Sequence, residues 1–159
     1  MTAVLEVFLL QFVDGQVLYK KHILPRPDES IDPDEVVDRY VADLFGKISC
    51  IQHSSSWRWE AGVDIRTYFV YCEEFNFIPQ DACRIPLDSL DFSLGEAEDP
   101  PKMEICPESK VLAHAIRHLA FQLQFRSTLR DDLGVYGRKL RRETISTLTR
   151  IPCVLAGRI

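Results

Sequence analysis

The chain has 159 residues, 46% of them hydrophobic and 27% charged, with a formal net charge of −5 at pH 7. That is ordinary for one compact domain spanning 1–159, and no window approaches the roughly 18 apolar residues of a membrane span. Residues 1–12 lack a basic leader and a cleavage signal, so a cytoplasmic protein is expected. Cys50, Cys72, Cys83, Cys106 and Cys153 form no CxxC pair and are odd in number. This argues against a disulfide framework and a zinc knuckle, leaving reduced, mostly buried thiols.

Charge is polarised along the chain. Asp88, Asp91, Glu96, Glu98, Asp99, Glu104 and Glu108 face a lone Lys102, whereas the segment 126–159 carries Arg126, Arg130, Arg138, Lys139, Arg141, Arg142, Arg150 and Arg158 against three acids. Such asymmetry fits two surfaces that face each other, or a basic nucleic-acid patch. An acidic protein offers poor electrostatics for the second, so a nucleic acid is not expected as partner.

In chain order, 2–12 and 17–24 read as strands joined by Asp14-Gly15, a dipeptide that supplies the positive φ angles of a primed turn. Asp32-Pro33-Asp34-Glu35 opens a helix over 33–45, with Asp32 as N-cap, proline in the first position and Glu35 placed for a capping box. Val36, Val37, Tyr40, Val41, Leu44 and Phe45 form its apolar stripe, and Gly46 suits the C-cap. Short β-type runs follow at 47–53, 56–60 and 65–72, with 61–64 as a turn and Trp57 and Trp59 on one face. The acidic, proline-rich stretch of about 73–106 reads mostly as loop, with at most one edge strand. A connection of that length is commonly functional.

The longest helical repeat covers 107–126. Leu112, Ala115, Ile116, Leu119 and Leu123 make one stripe, and His114, His118, Phe121 and Phe125 a second, so this helix is wanted on two sides. Beyond it, 127–133 suggests a turn, 138–149 a weaker helix, and 151–156 an apolar segment tied to the body. The expected fold is two-layer α+β: an antiparallel sheet from the N-terminal hairpin and central strands, two main helices packed on it, and a helical C-terminal segment.

His114 and His118 stand at i and i+4, where two imidazoles can share a ligand, with Arg117 nearby for an anion. Position 115 is alanine, so there is no HExxH, and a third metal ligand is missing; the expectation is no cofactor and no metal. The run His53-Ser54-Ser55-Ser56 lacks a GxSxG elbow and gives no catalytic signature. Arg58, between two tryptophans, could stack as a cation.

The segment HSSSWRWEAGVDIRTYFVY, followed later by HAIRHLAFQL, resembles a bacterial domain family of unknown function. In that family a His-Ser-x-Ser-Trp-Arg strand leads to a Thr-Tyr strand and a His-Ala-x-Arg-His-Leu-Ala helix. The matching positions are His53, Ser54, Ser56, Trp57, Arg58, Thr67, Tyr68, His114, Arg117 and His118. The resemblance implies that the two segments belong together in one domain.

Two functional readings follow. The leading one is a non-enzymatic interaction or regulatory domain with a protein partner or self-association. The alternative is a small-molecule or metal-binding domain, or a hydrolase, using His53, His114, Arg117 and His118; Ser56 and Arg58 join these four as candidate binding residues.

Overall fold

The computed structural model describes residues 3–25, 30–46, 50–71, 81–92, 102–103, 107–125 and 146–151. The element order is β1 (Ala3–Val13), β2 (Gln16–Pro25), α1 (Pro33–Phe45), β3 (Ile51–Glu60), β4 (Val63–Tyr71), β5 (Cys83–Pro86), β6 (Lys102–Met103) and α2 (Glu108–Phe125). The strands form one six-stranded sheet in the order β5-β2-β1-β4-β3-β6. This is an α+β domain with a mostly antiparallel sheet.

Local chemistry explains most of these elements. Asp14 and Gly15 take φ values of 50° and 71°, so the β1–β2 hairpin closes through a two-residue turn of primed type. Ala61 and Gly62 repeat the geometry between β3 and β4, at 49° and 79°. At the start of α1 the Asp32 carboxylate accepts from the Asp34 backbone N–H at 3.0 Å, which satisfies one orphan donor of the first turn. Glu35 pairs with Arg39 one turn on.

Residues 5–10 of β1 are all buried because this strand is central, with β2 on one side and β4 on the other. Alternation sends Phe8 and Leu10 to one face and Leu5, Val7 and Leu9 to the other. The first face packs with Phe69, Tyr71 and the buried side of α2, including Leu112, Ile116 and Leu119. The second packs with Tyr68, Val70 and α1 through Val37 and Phe45. Each helix therefore has its own helix-on-sheet core, on opposite faces of one sheet.

Polar contacts fix α1 in place: the Tyr68 hydroxyl donates to Asp34 at 2.5 Å, and Gln52 donates to Asp38 at 2.7 Å. α2 is buried nearly all round, as its two stripes required. Leu148 and Ile151, from the segment after it, join the same core.

Several expectations need correction. The sheet is mixed, since β1 pairs parallel with β4 over Ala3–Leu10 against Asp64–Tyr71. The runs 47–53 and 56–60 are in their described parts a single strand, β3, with an irregular register between Ser54 and Ser56. The inserted residue lets one strand continue through the serines. Within 73–106, β5 pairs with β2 and β6 with β3, so this stretch supplies a strand to each edge of the sheet rather than one at most. Leu44, placed on the apolar stripe of α1, is exposed.

Cys50 is disulfide-bonded, and Cys83 is a free, exposed thiol. An odd cysteine count excludes a fully paired framework but not a single bridge. The basic cluster Arg138 to Arg142 and most of the 126–159 segment lie outside the described residues, as do the side chains of Leu123 and Phe125.

Candidate functional site

Two polar groups lie on the α2 face of the sheet, and both draw on β3. The first is built around Glu6, a carboxylate in the middle of the central strand. Arg58 reaches it with two parallel hydrogen bonds of 3.0 and 3.1 Å, and Thr67 donates to the same carboxylate at 3.0 Å. Arg58 also bonds the Thr67 hydroxyl and the Glu60 carboxylate. All three of Glu6, Arg58 and Thr67 are buried. A buried guanidinium is tolerated only when its donors are met, and a planar fork matched to a carboxylate does that.

The network extends outward through Lys21, which lies 3.9 Å from Glu6 and pairs closely with Glu108. Tyr19 donates to Glu108 at 2.9 Å. Burial, aided by that carboxylate, pushes the Tyr19 hydroxyl well above its ordinary range, and the contacts with Lys21 and Tyr19 hold Glu108 below the usual carboxylate range.

The second group is the imidazoles. His114 and His118, one turn apart on α2, have ring centroids 4.7 Å apart. His53 on β3 lies 6.1 Å from His118 and stacks on Phe69 at 6.1 Å. The irregular register at the serines positions them. The His53 Nδ1 lies against the Ser54 carbonyl, and His114 hydrogen-bonds to the backbone of Ser55. The Ser55 hydroxyl is turned inward, donating to the Thr67 carbonyl at 3.3 Å. The described contacts of the serine run with the imidazoles are made by its backbone.

All three rings are partly buried. Burial, assisted by the neighbouring His114, His53 and Arg117, pushes His118 down to about 3, and burial with Arg117 lowers His114. Both are neutral imidazoles at physiological pH, and among the described residues no carboxylate is one of the groups acting on either. Gln122, one further turn along the same stripe, is buried, and its Nε2 has no hydrogen-bond partner among the described residues.

The candidate residues therefore divide. His53, His114 and His118 are brought together. Arg117 is buried beside them, donates to the Phe92 carbonyl at 2.6 Å, and reaches the imidazoles through its charge. Ser56 and Arg58 are not part of this cluster: Ser56 pairs in register with Thr67, and Arg58 lies about 16 Å along the strand from His53, tied to Glu6.

Nor is Arg58 the cation that stacks on tryptophan. Arg66 takes that place, 5.8 Å from the Trp57 ring, while the Trp57 indole N–H donates to Asp64 at 2.5 Å. Sequence reasoning missed Glu6. The available signal was a lone acid inside an apolar run, which has no route to water if the strand is buried on both faces.

Among the described residues no group of three His, Cys, Asp or Glu side chains stands ready to hold a metal ion. No helix there is long and apolar enough to cross a membrane. No known family model matches the chain, and no curated protein matches it.

Proposed function

We propose that this protein is a non-enzymatic regulatory domain that binds a small ligand at the cluster of His53, His114 and His118. The observation that carries this reading is the meeting of His53 with His118 at 6.1 Å, from segments 65 positions apart in the chain. Here three imidazoles share one place, the two on α2 held neutral, with a buried amide donor one turn on. Such a cluster offers nitrogen lone pairs and a few convergent polar groups, the usual content of a binding site. Neutral rings that resist protonation are poor general acids, which favours binding over acid–base catalysis.

The test is a small-molecule screen read by histidine-ring NMR. Binders that shift His53, His114 and His118 together, and lose their effect in His118→Ala, support the reading. Binders that shift only residues elsewhere contradict it.

A protein-interaction role is the second reading, favoured by Trp57. This ring is 44% exposed yet held by Asp64 and Arg66, as a rigid aromatic anchor for a partner would be. A Trp57→Ala protein that loses a partner kept by His118→Ala would promote it.

A further inference from the structure

We propose that the ligand of this site is a small monocarboxylate whose oxygens accept hydrogen bonds from His118 and Gln122, one turn apart on α2, beside the charge of Arg117. This rests on the reading of the cluster as a ligand site and adds the chemistry of the ligand. Gln122 supplies the first observation. It is only 4% exposed, yet its Nε2 has no hydrogen-bond partner among the described residues. A buried donor left unmet carries the full cost of losing water, and a ligand oxygen placed there removes it.

His118 supplies the second donor, since a neutral imidazole carries one N–H. His53 and His114 are turned to the Ser54 and Ser55 backbone, whereas the contacts described for His118 are with the rings of His114 and His53, at 4.7 and 6.1 Å. Residues 118 and 122 stand at i and i+4, neighbours on one side of the helix. All three rings are partly exposed, so the site is reached from solvent.

Charge selects the class of ligand. Arg117 acts on both α2 imidazoles, and among the described residues no carboxylate does. That potential disfavours a cation and favours an anion. A carboxylate only accepts hydrogen bonds and so matches two N–H donors, whereas a neutral amide brings N–H groups of its own. One guanidinium balances one negative charge. A phosphate group, at about −1.5 to −2 near pH 7, leaves an excess that a partly buried place does not tolerate.

The experiment compares benzoate, benzamide and benzamidinium, flat molecules of one size that are anionic, neutral and cationic. Each is titrated into the full-length protein and followed by histidine-ring NMR, with acetate as the smallest carboxylate and inorganic phosphate as control. The expected result is a saturable shift of His114 and His118 with the carboxylates, benzoate binding at least about 10-fold more tightly than benzamide, and no shift with benzamidinium. Gln122→Leu should lose at least about 10-fold in benzoate affinity while its thermal midpoint holds or rises, because an unmet buried donor has been removed. A purely structural glutamine would not give that split. Trp57→Ala should bind as the parent protein does.

Benzamide or phosphate binding as tightly as benzoate, or full benzoate affinity in Gln122→Leu, overturns the proposal. If benzamide or benzamidinium shifts all three rings and the carboxylates do not, the carboxylate assignment falls and the ligand site stands. If none of these probes shifts the rings, the assignment falls, and the site falls with it when the wider small-molecule screen is also negative. Should Gln122→Leu fail to fold, His118→Ala, at a partly exposed position, carries the test by the same loss of benzoate affinity.

Discussion

The two polar groups beneath α2 share a sheet face and a strand, yet their chemistry differs. Glu6, Arg58 and Thr67 close on one another: each guanidinium nitrogen of Arg58 has a partner, and both Glu6 oxygens accept. His53 and His114 have contacts with the Ser54 and Ser55 backbone, and among the described residues no carboxylate acts on the α2 pair. A buried polar group that satisfies itself belongs to the fold. One that gathers imidazoles without a described counter-charge is where a ligand site is proposed. Burial alone does not separate the two cases; the partners do.

The sharpest way to break the comparison is Arg58→Ala. It leaves the Glu6 carboxylate buried without its main partner and is expected to cost about 3–5 kcal/mol in urea unfolding. The paired replacement Glu6→Leu with Arg58→Met should recover most of that loss. By contrast, His118→Ala removes no counter-charge and should cost only about 1–3 kcal/mol, from lost packing at the rim of the α2 core. If the histidine change proves the costlier of the two, the roles assigned to the clusters are reversed.

The pH dependence sharpens the contrast further. His118 binds protons near its ordinary value when unfolded and only near pH 3 when folded. Between those values the unfolded state holds more protons, so stability falls as pH drops below about 6.5. At pH 5 the cost from this group is about 2 kcal/mol. Unfolding followed from pH 7 to pH 5 should show a shallower decline in His118→Gln than in the parent protein. The smallest effect is expected from Lys21→Met: its pairs with Glu108 and Glu6 lie at the half-exposed margin of the network, so the change should cost under about 1 kcal/mol.

Much of the fold was legible where the cause is local. Asp14-Gly15 announced the hairpin and Asp32-Pro33 the start of α1, because turn and cap chemistry depends on a few adjacent residues. The two stripes of 107–126 foretold a helix buried on more than one side. The parallel pairing of β1 with β4 was not legible, since it joins segments about 60 residues apart and has no local signature.

The site was half legible. The i, i+4 spacing of His114 and His118 singles them out and the expected site joins His53 to them, whereas Arg58 and Ser56, also candidates, lie elsewhere. The inserted residue at Ser55 reorganises the strand between His53 and Arg58, and the partner that claims Arg58 is Glu6, 52 positions away. Alternation along one strand could not reveal either fact.

The central claim is that His53 and His118 meet in one group of imidazoles in which His118 is held neutral. The most direct measurement is an NMR pH titration of the ring nitrogens in the parent protein and in His53→Gln. The account predicts that His118 stays neutral well below pH 6.5, with a midpoint near 3, and that removing His53 raises that midpoint. A midpoint near 6.5 that is indifferent to His53 would contradict it.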